Sequence, residues 1–377
     1  MSEHSEFENS PKNLQTSDIE LMREAARVIE EHKRLGLDGL VGGLQAVVIN
    51  TEPELHNSAV EELIRYSGLQ FQEAFSDSLY KTCVLKVPGS PEFRSADFLI
   101  RSRRKGPNPF QEMNLAPRSQ YLPNTRLETF VFETRDLNRY VSLQEESGVK
   151  FPGGIQDCHN YYFIQTEPSL WTGNSLGFIQ WKGEKGVYSS PDSQPLDMKM
   201  DLSHLSGSTH LKNIRWLDHA ATRVKAQDRN YAILEFLRLT NYNFEFAIHV
   251  KSLNSITSVA RLTHSDFAMV FTSGITPYES PEASGPTEKF IQNYGPRVHH
   301  IAFQTDEIEE TTTGLEKDGM KFLLDLTGSQ EEGLEQIFSE PSRNTLLVTE
   351  YIHRYGDFDG FFTESNVTRL TAATGKQ

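Results

Sequence analysis

Cysteine is nearly absent. Cys83 and Cys158 are the only two in 377 residues, so neither a disulfide framework nor a zinc–thiolate cluster can organise this chain. Basic residues are outnumbered, 37 Lys and Arg against 52 Asp and Glu, for a net charge of -15. That balance argues against a nucleic acid or an anionic membrane surface as partner, since both need clustered Lys and Arg. The short basic run at 101–105 follows a strand and reads as a solvated turn. No stretch approaches the roughly 18 apolar residues of a membrane span. The amino terminus is polar and acidic, without the apolar centre of a secretory signal, so the expected location is cytoplasmic. The motifs GxxxxGK(S/T), HExxH and GxSxG do not occur, which leaves the common phosphate-loop, zinc-protease and nucleophile-elbow chemistries without a carrier.

What the chain does have is a four-fold internal repeat. Strand-like runs open at 44 (LQAVVI), 127 (LETFVF), 217 (LDHAAT) and 298 (VHHIAF), spaced 83, 90 and 81 residues apart. Each leads into a helical stretch expected to end at Gly68, Gly148, Asn241 or Gly319, residues that tolerate the left-handed conformation closing a helix. A phenylalanine follows three residues later, at Phe71, Phe151, Phe244 and Phe322. Short β-rich runs come next, such as 80–87 and 96–100, or 161–165 and 176–181. One supersecondary unit has been reused. It reads β-α-β-β-β, and two such units side by side make a curved eight-stranded sheet able to wrap a pocket. The fold class is therefore α+β, in two domains.

In this register the third position of the opening run is Ala46, Thr129, His219 and His300. Histidine at one repeat position in the last two units only means that a metal can sit between units three and four, and not between one and two. A single histidine beside apolar residues is more often a hydrogen-bonded core residue; two on strands that pseudo-symmetry pairs shift the balance. The run TLLVTEYI at 345–352 adds a third group, because an acid inside an apolar strand is expensive unless paired or bound to a cation. Glu350 thus completes two histidines and one carboxylate, the facial set used by non-haem Fe(II) oxygenases. Strand alternation turns His299 to the face opposite His300, so it approaches the same metal only if the strand is distorted.

The domain boundaries follow. Residues 1–40 form a polar tail, expected to be mobile to about residue 16, and an amphipathic helix opened by a capping box at Ser17–Glu20 and packed by default on the first domain. Residues 41–185 form a domain without metal. Residues 186–212, rich in Ser, Pro and Asp, form a linker. Residues 213–377 form the catalytic domain, with the segment from 357 able to close over the site.

The tandem units resemble the vicinal-oxygen-chelate superfamily, and the second half is similar to the 4-hydroxyphenylpyruvate dioxygenase family, hydroxymandelate-synthase-like members included. The matching pieces are LDH at 217–219, VHHIAF at 298–303, GLEQIF at 333–338, EYIHR at 350–354 and the tail around Asn366. The resemblance implies Fe(II) held by His219, His300 and Glu350, with no further catalytic side chain. It implies a substrate pocket containing Gln336 and Phe338 on one strand, Ser258 and Ser273 at the polar end, Asn366 on the closing tail, and Phe362 beside Phe361 to stack a ring. Three places depart from the family: Ser273 stands for asparagine, His299 for glutamine, and Val367 for an aromatic residue. A segment usual before the Gln336 strand is also missing, so only 50 residues separate His300 from Glu350.

The activity so implied is oxidative decarboxylation of a 2-oxo acid with dioxygen. The leading substrate is 4-hydroxyphenylpyruvate, giving homogentisate in tyrosine catabolism. The alternatives are mandelate-forming chemistry, another 2-oxo acid, and a non-catalytic binding protein of the same fold. The partners are the small oxo acid and dioxygen, and homo-oligomerisation stays open.

Overall fold

All four opening runs become strands, Val41–Thr51, Arg126–Thr134, Ile214–Arg223 and Arg297–Thr305, in a computed structural model that describes residues 16–88, 95–200, 208–356, 358 and 360–376. The expected mobile tail to residue 15 and the end of the linker, 201–207, lie outside the described residues. Each opening strand is followed by a helix, in turn His56–Ser67, Leu137–Glu146, Arg229–Leu239 and Ile308–Lys317, and then by three strands. Within each half the two opening strands pair antiparallel, and each has the last strand of its own unit parallel on its other side. The result is the α+β architecture of tandem β-α-β-β-β units, with sheets of nine and eight strands. The ninth strand is the pair Gln194–Pro195, added at the edge beside Gln70–Ser76. It belongs to the stretch expected to be linker, as does Tyr188, whose ring is buried in the first sheet's concave face and whose hydroxyl donates to Asp97 at 2.9 Å. A helix the repeat did not announce, Pro286–Tyr294, precedes the fourth unit, with proline at its first position, where no backbone N–H is needed.

Strand alternation divides each sheet into two faces. The faces bearing Val47, Ile49, Phe130, Phe132, Leu217 and Phe303 join in one continuous core, where Phe98 of the first sheet stacks on Phe303 of the second at 5.7 Å. Each such fully buried side chain stabilises by about 1.5–3 kcal/mol relative to exposure. The concave faces differ. In the first sheet, Ala46, Val48 and Val131 are covered by Tyr161, Trp181 and Tyr188, leaving that cup filled.

Three of the four expected helix ends have left-handed glycines, Gly68 (φ 67), Gly148 (φ 89) and Gly319 (φ 97). The third unit departs from the pattern. Its helix stops in an extended Thr240, and Asn241 uses its side chain, accepting from Val41 N at 2.8 Å and donating to Leu37 O at 3.3 Å. No helix among the described residues is long and apolar enough to cross a membrane.

The amino-terminal helix runs Thr16–Leu35, and the side chain of Ser17, in the expected capping box, lies outside the described residues. The helix packs on the second half, against Arg229–Leu239 and Asn243–Val250, and the expectation that it covers the first domain is corrected by one buried acid. Asp18 faces Arg229 Nη2 at 2.7 Å and His249 Nε2 at 2.5 Å. Burial raises its carboxyl, but the bond to His249 and the Arg229 charge outweigh burial and hold it below the ordinary value. A depressed folded-state value gives stability that is present above the unfolded carboxylate value and is lost as pH falls through the folded one. Asp18→Asn should therefore cost about 3 kcal/mol at neutral pH by leaving Arg229 buried without its counter-charge. That cost should shrink below about pH 4, where the wild type also loses the pair. Urea unfolding at both pH values measures it; an equal cost at both would refute the pairing.

Candidate metal centre

The second sheet builds the site by register. Ala268, His219, Ala302, Glu350 and Phe338 form one row across five adjacent strands. His219 and Glu350 are thus two strands apart, roughly 9–10 Å between backbones, and the small Ala302 between them leaves the space over the sheet open. His300 enters that space from two residues away on the Ala302 strand, opposite Ala221. Ligand atoms of His219, His300 and Glu350 all lie within 4.8 Å of one another, and all three residues are buried. His219 Nε2 is 3.0 Å and His300 Nε2 is 3.3 Å from the same oxygen, Glu350 Oε2.

Two bulges give the histidines their Nδ1 partners. Pairing of the opening strands slips between Leu217 and His219 and again between Ala221 and Thr222, which leaves Asp218 and His299 as the extra residues. At a bulge alternation fails and a side chain is re-aimed. Asp218 consequently takes a hydrogen bond from Nδ1 of its neighbour His219 at 2.8 Å, and His299 Nδ1 meets His300 Nδ1 at 2.8 Å. The strand distortion needed to bring His299 to the site is present. It corrects the expectation that His299 faces away. Its place is behind His300, on the nitrogen that a metal leaves free. With both Nδ1 atoms engaged, both Nε2 atoms face Glu350 Oε2, an arrangement in which the far nitrogen's partner orients the imidazole.

Glu350 is braced from the other side. Gln336 Nε2 donates to Glu350 Oε1 at 2.5 Å, and Gln336 Oε1 accepts from Asn366 Nδ2 at 3.1 Å. Asn366 sits in the helix Glu364–Ala373, capped by Thr363. The segment before this helix covers the triad: Phe361 and Phe362 lie 5.4 and 5.2 Å from the His219 ring. Arg261 and Arg354 lie 4.9 and 4.8 Å from the Phe361 ring, and Arg354 also pairs with Asp218 at 2.5 Å. Burial would raise the Asp218 carboxyl, but Arg354 and His219 hold it well below the usual range.

The donor set could hold a cation. His219 Nε2 is fully buried and makes no hydrogen bond, although it lies at ion-pair distance from an oxygen that is itself an acceptor. Burial lowers His219, yet Glu350 and Asp218 push it up to about 9, while burial and the neighbouring His299 hold His300 well below its ordinary value. Two imidazoles and one carboxylate with no sulfur suit Fe(II) better than thiophilic metals. Cys83 and Cys158 are both free and lie in the first half.

The matching place in the first sheet cannot hold a metal. There the row reads Ala46, Val131 and Gly177, with Thr129 at the position of His300. A Cβ on Gly177, the counterpart of Glu350, would meet the Phe163 ring at 2.9 Å.

Of the expected pocket residues, Phe338, Phe362 and Gln336 line a cavity of about 40 Å³ beside His300 and Glu350, and Phe338 packs on the His300 ring at 4.7 Å. Ser258 and Ser273 are not brought there. Ser258 accepts from Arg229 Nε at 2.9 Å and Ser273 donates to Gly274 O at 3.0 Å, both on the opposite face of their strands. Their neighbours Thr257 and Thr272 line the cavity in their place. The sequence reading also missed Asp218, Arg354 and Arg223. For Arg223 the signal was present, since it shares strand parity with His219.

Fold and site together define the vicinal-oxygen-chelate fold, with residues that could hold a metal in one half. No family model matches the chain, and no curated protein does. Solved structures do match. A triple mutant of 4-hydroxymandelate synthase from Streptomyces coelicolor superposes with a TM-score of 0.66 at 14% identity, over 89% of this chain and 98% of that one. A xylose isomerase-like TIM barrel/4-hydroxyphenylpyruvate dioxygenase fusion protein gives 0.59 at 12% identity, over 95% of this chain and 58% of the fusion. At these identities what is shared is the fold.

Proposed function

We propose that this chain is a non-haem Fe(II)-dependent dioxygenase that oxidatively decarboxylates a 2-oxo acid. The observation that carries the reading is the convergence of His219, His300 and Glu350 on one point, with a buried nitrogen left unsatisfied, in a fold shared with 4-hydroxymandelate synthase. Residues 213–377 carry the chemistry in this reading, and residues 41–185 are a metal-free partner that shares their core.

The overall reaction balances as one 2-oxo acid and one dioxygen giving one carbon dioxide and one hydroxylated acid, one carbon shorter. The oxo carbon becomes the new carboxyl group, one oxygen atom enters there and the other forms the hydroxyl. Bound iron would supply Lewis-acid polarisation of the oxo acid and a path for electrons to dioxygen. The chain's own residues orient and exclude. Asp218 and His299 fix the two imidazoles, Gln336 and Asn366 fix the carboxylate, and Phe361 and Phe362 keep water from the reacting end.

Coupled oxygen uptake and carbon dioxide release, measured with Fe(II) and ascorbate over a panel of 2-oxo acids that includes 4-hydroxyphenylpyruvate, tests this. The expected outcome is one carbon dioxide per dioxygen consumed on at least one member. Binding of oxo acids with no oxygen consumption on any would make the chain a binding protein of this fold.

A further inference from the structure

The cavity beside the triad has a second pole. His219, Ala221 and Arg223 alternate on to one face of their strand, and Arg223 lines the same cavity as His300 and Glu350. Its side chain is buried, 4% exposed. The guanidinium lies 4.5 Å from the Phe290 ring, its Nη1 makes no hydrogen bond, and no acid among the described residues pairs with it. Glu350, the acid in the cavity, is already taken by two histidines and Gln336. Glu288, on the Phe290 helix, accepts from the backbone N–H groups of Ala226 and Gly274. Thr272 Oγ1, on the same cavity wall, is also buried without a partner.

Burying a guanidinium with no counter-charge is costly, because desolvation is not offset. A forked donor beside an unpaired hydroxyl is complementary to a carboxylate, which a guanidinium binds through two parallel bonds. The two serines expected at the polar end of the substrate site lie on the other face.

Resting on the dioxygenase reading, we propose that Arg223 receives a second carboxylate of the substrate, so that the substrate class is a 2-oxo dicarboxylic acid with its oxo-acid end towards the triad.

Length-matched pairs test it by isothermal titration of anaerobic Fe(II)-loaded protein: 2-oxoglutarate against 2-oxopentanoate, and 2-oxoadipate against 2-oxohexanoate. A charge-assisted contact predicts about 10- to 100-fold tighter binding of the diacid in at least one pair. Arg223→Met should bind both members of that pair equally, with iron content unchanged. Equal affinities in the wild type, or a preference that survives in Arg223→Met, overturn the proposal. Should the methionine variant not fold, Arg223→Lys takes its place. It keeps the charge without the fork and should retain only part of the preference, whereas a fully retained preference counts against a paired contact. Glutarate against pentanoate on metal-free protein reads the Arg223 pole without iron. Preference for glutarate there upholds the carboxylate site even if iron is not retained, a result that would defeat the dioxygenase reading alone.

Discussion

Alanine at His219, His300 or Glu350 should strip the protein of iron and abolish turnover while leaving a folded chain. Each residue supplies one of three ligand atoms held within 4.8 Å, and a two-ligand remnant in a buried site loses the chelate geometry on which Fe(II) affinity depends. Affinity should fall by at least about 100-fold, beyond the 10–100-fold usual for losing a residue that only supports a ligand. The sharper readout is linkage. A metal that binds only the folded state adds RT ln(1 + [L]/Kd), about 2.7 kcal/mol at a hundred-fold excess over Kd. Anaerobic Fe(II) should therefore raise the wild-type melting temperature and leave that of each variant unmoved. A purely structural cluster makes the opposite forecast: iron does nothing to the wild type, and each alanine lowers stability in the metal-free protein. Stoichiometric iron in purified Glu350→Ala would remove the assignment.

The convergence of the two histidines was legible in the sequence because the repeat supplied a register. Position three of the opening run is a fixed place on a central strand, and two central strands that pair antiparallel bring their third positions to one end of the cup. Glu350 was legible for a different reason, as an acid that an apolar strand would not carry unpaired. The sequence did not reveal the bulges. Nothing in LDHAAT or VHHIAF announces that Asp218 and His299 are extra residues in the pairing, so strict alternation sent His299 to the wrong face. Ser258 and Ser273 were placed at the pocket by the family resemblance, whereas the register puts their neighbours Thr257 and Thr272 there. The amino-terminal helix was legible as a helix, while its docking side depended on a pairing of Asp18 with Arg229 across more than 200 residues, which no local pattern encodes. Tyr188 was hidden by its surroundings: a Ser- and Pro-rich stretch reads as linker even when one aromatic side chain plugs a sheet.

Asp218→Asn probes the layer behind the ligands. Asp218 accepts from His219 Nδ1 at 2.8 Å and from both terminal nitrogens of Arg354, at 2.5 and 3.1 Å. Arg354 in turn donates to Phe361 O at 3.4 Å and lies against the Phe361 ring. One carboxylate thus fixes the tautomer of a ligand and anchors the segment that covers the site. The asparagine is isosteric, and its amide oxygen can still accept from His219, so the ring stays in place. The lost charge makes the imidazole a weaker donor to a metal and leaves Arg354 half-buried with no acid. Iron affinity should fall about 10- to 100-fold, with turnover largely restored at saturating iron. Loss of a metal ligand, by contrast, is not rescued at any iron concentration. Loosening of the Phe361 segment should appear separately, as faster proteolysis near residues 358–362 in the metal-free protein. Wild-type iron affinity in Asp218→Asn would show that His219 needs no partner at Nδ1. Turnover that stays lost at saturating iron would mean that Asp218 acts on the substrate directly and does not work through the histidine.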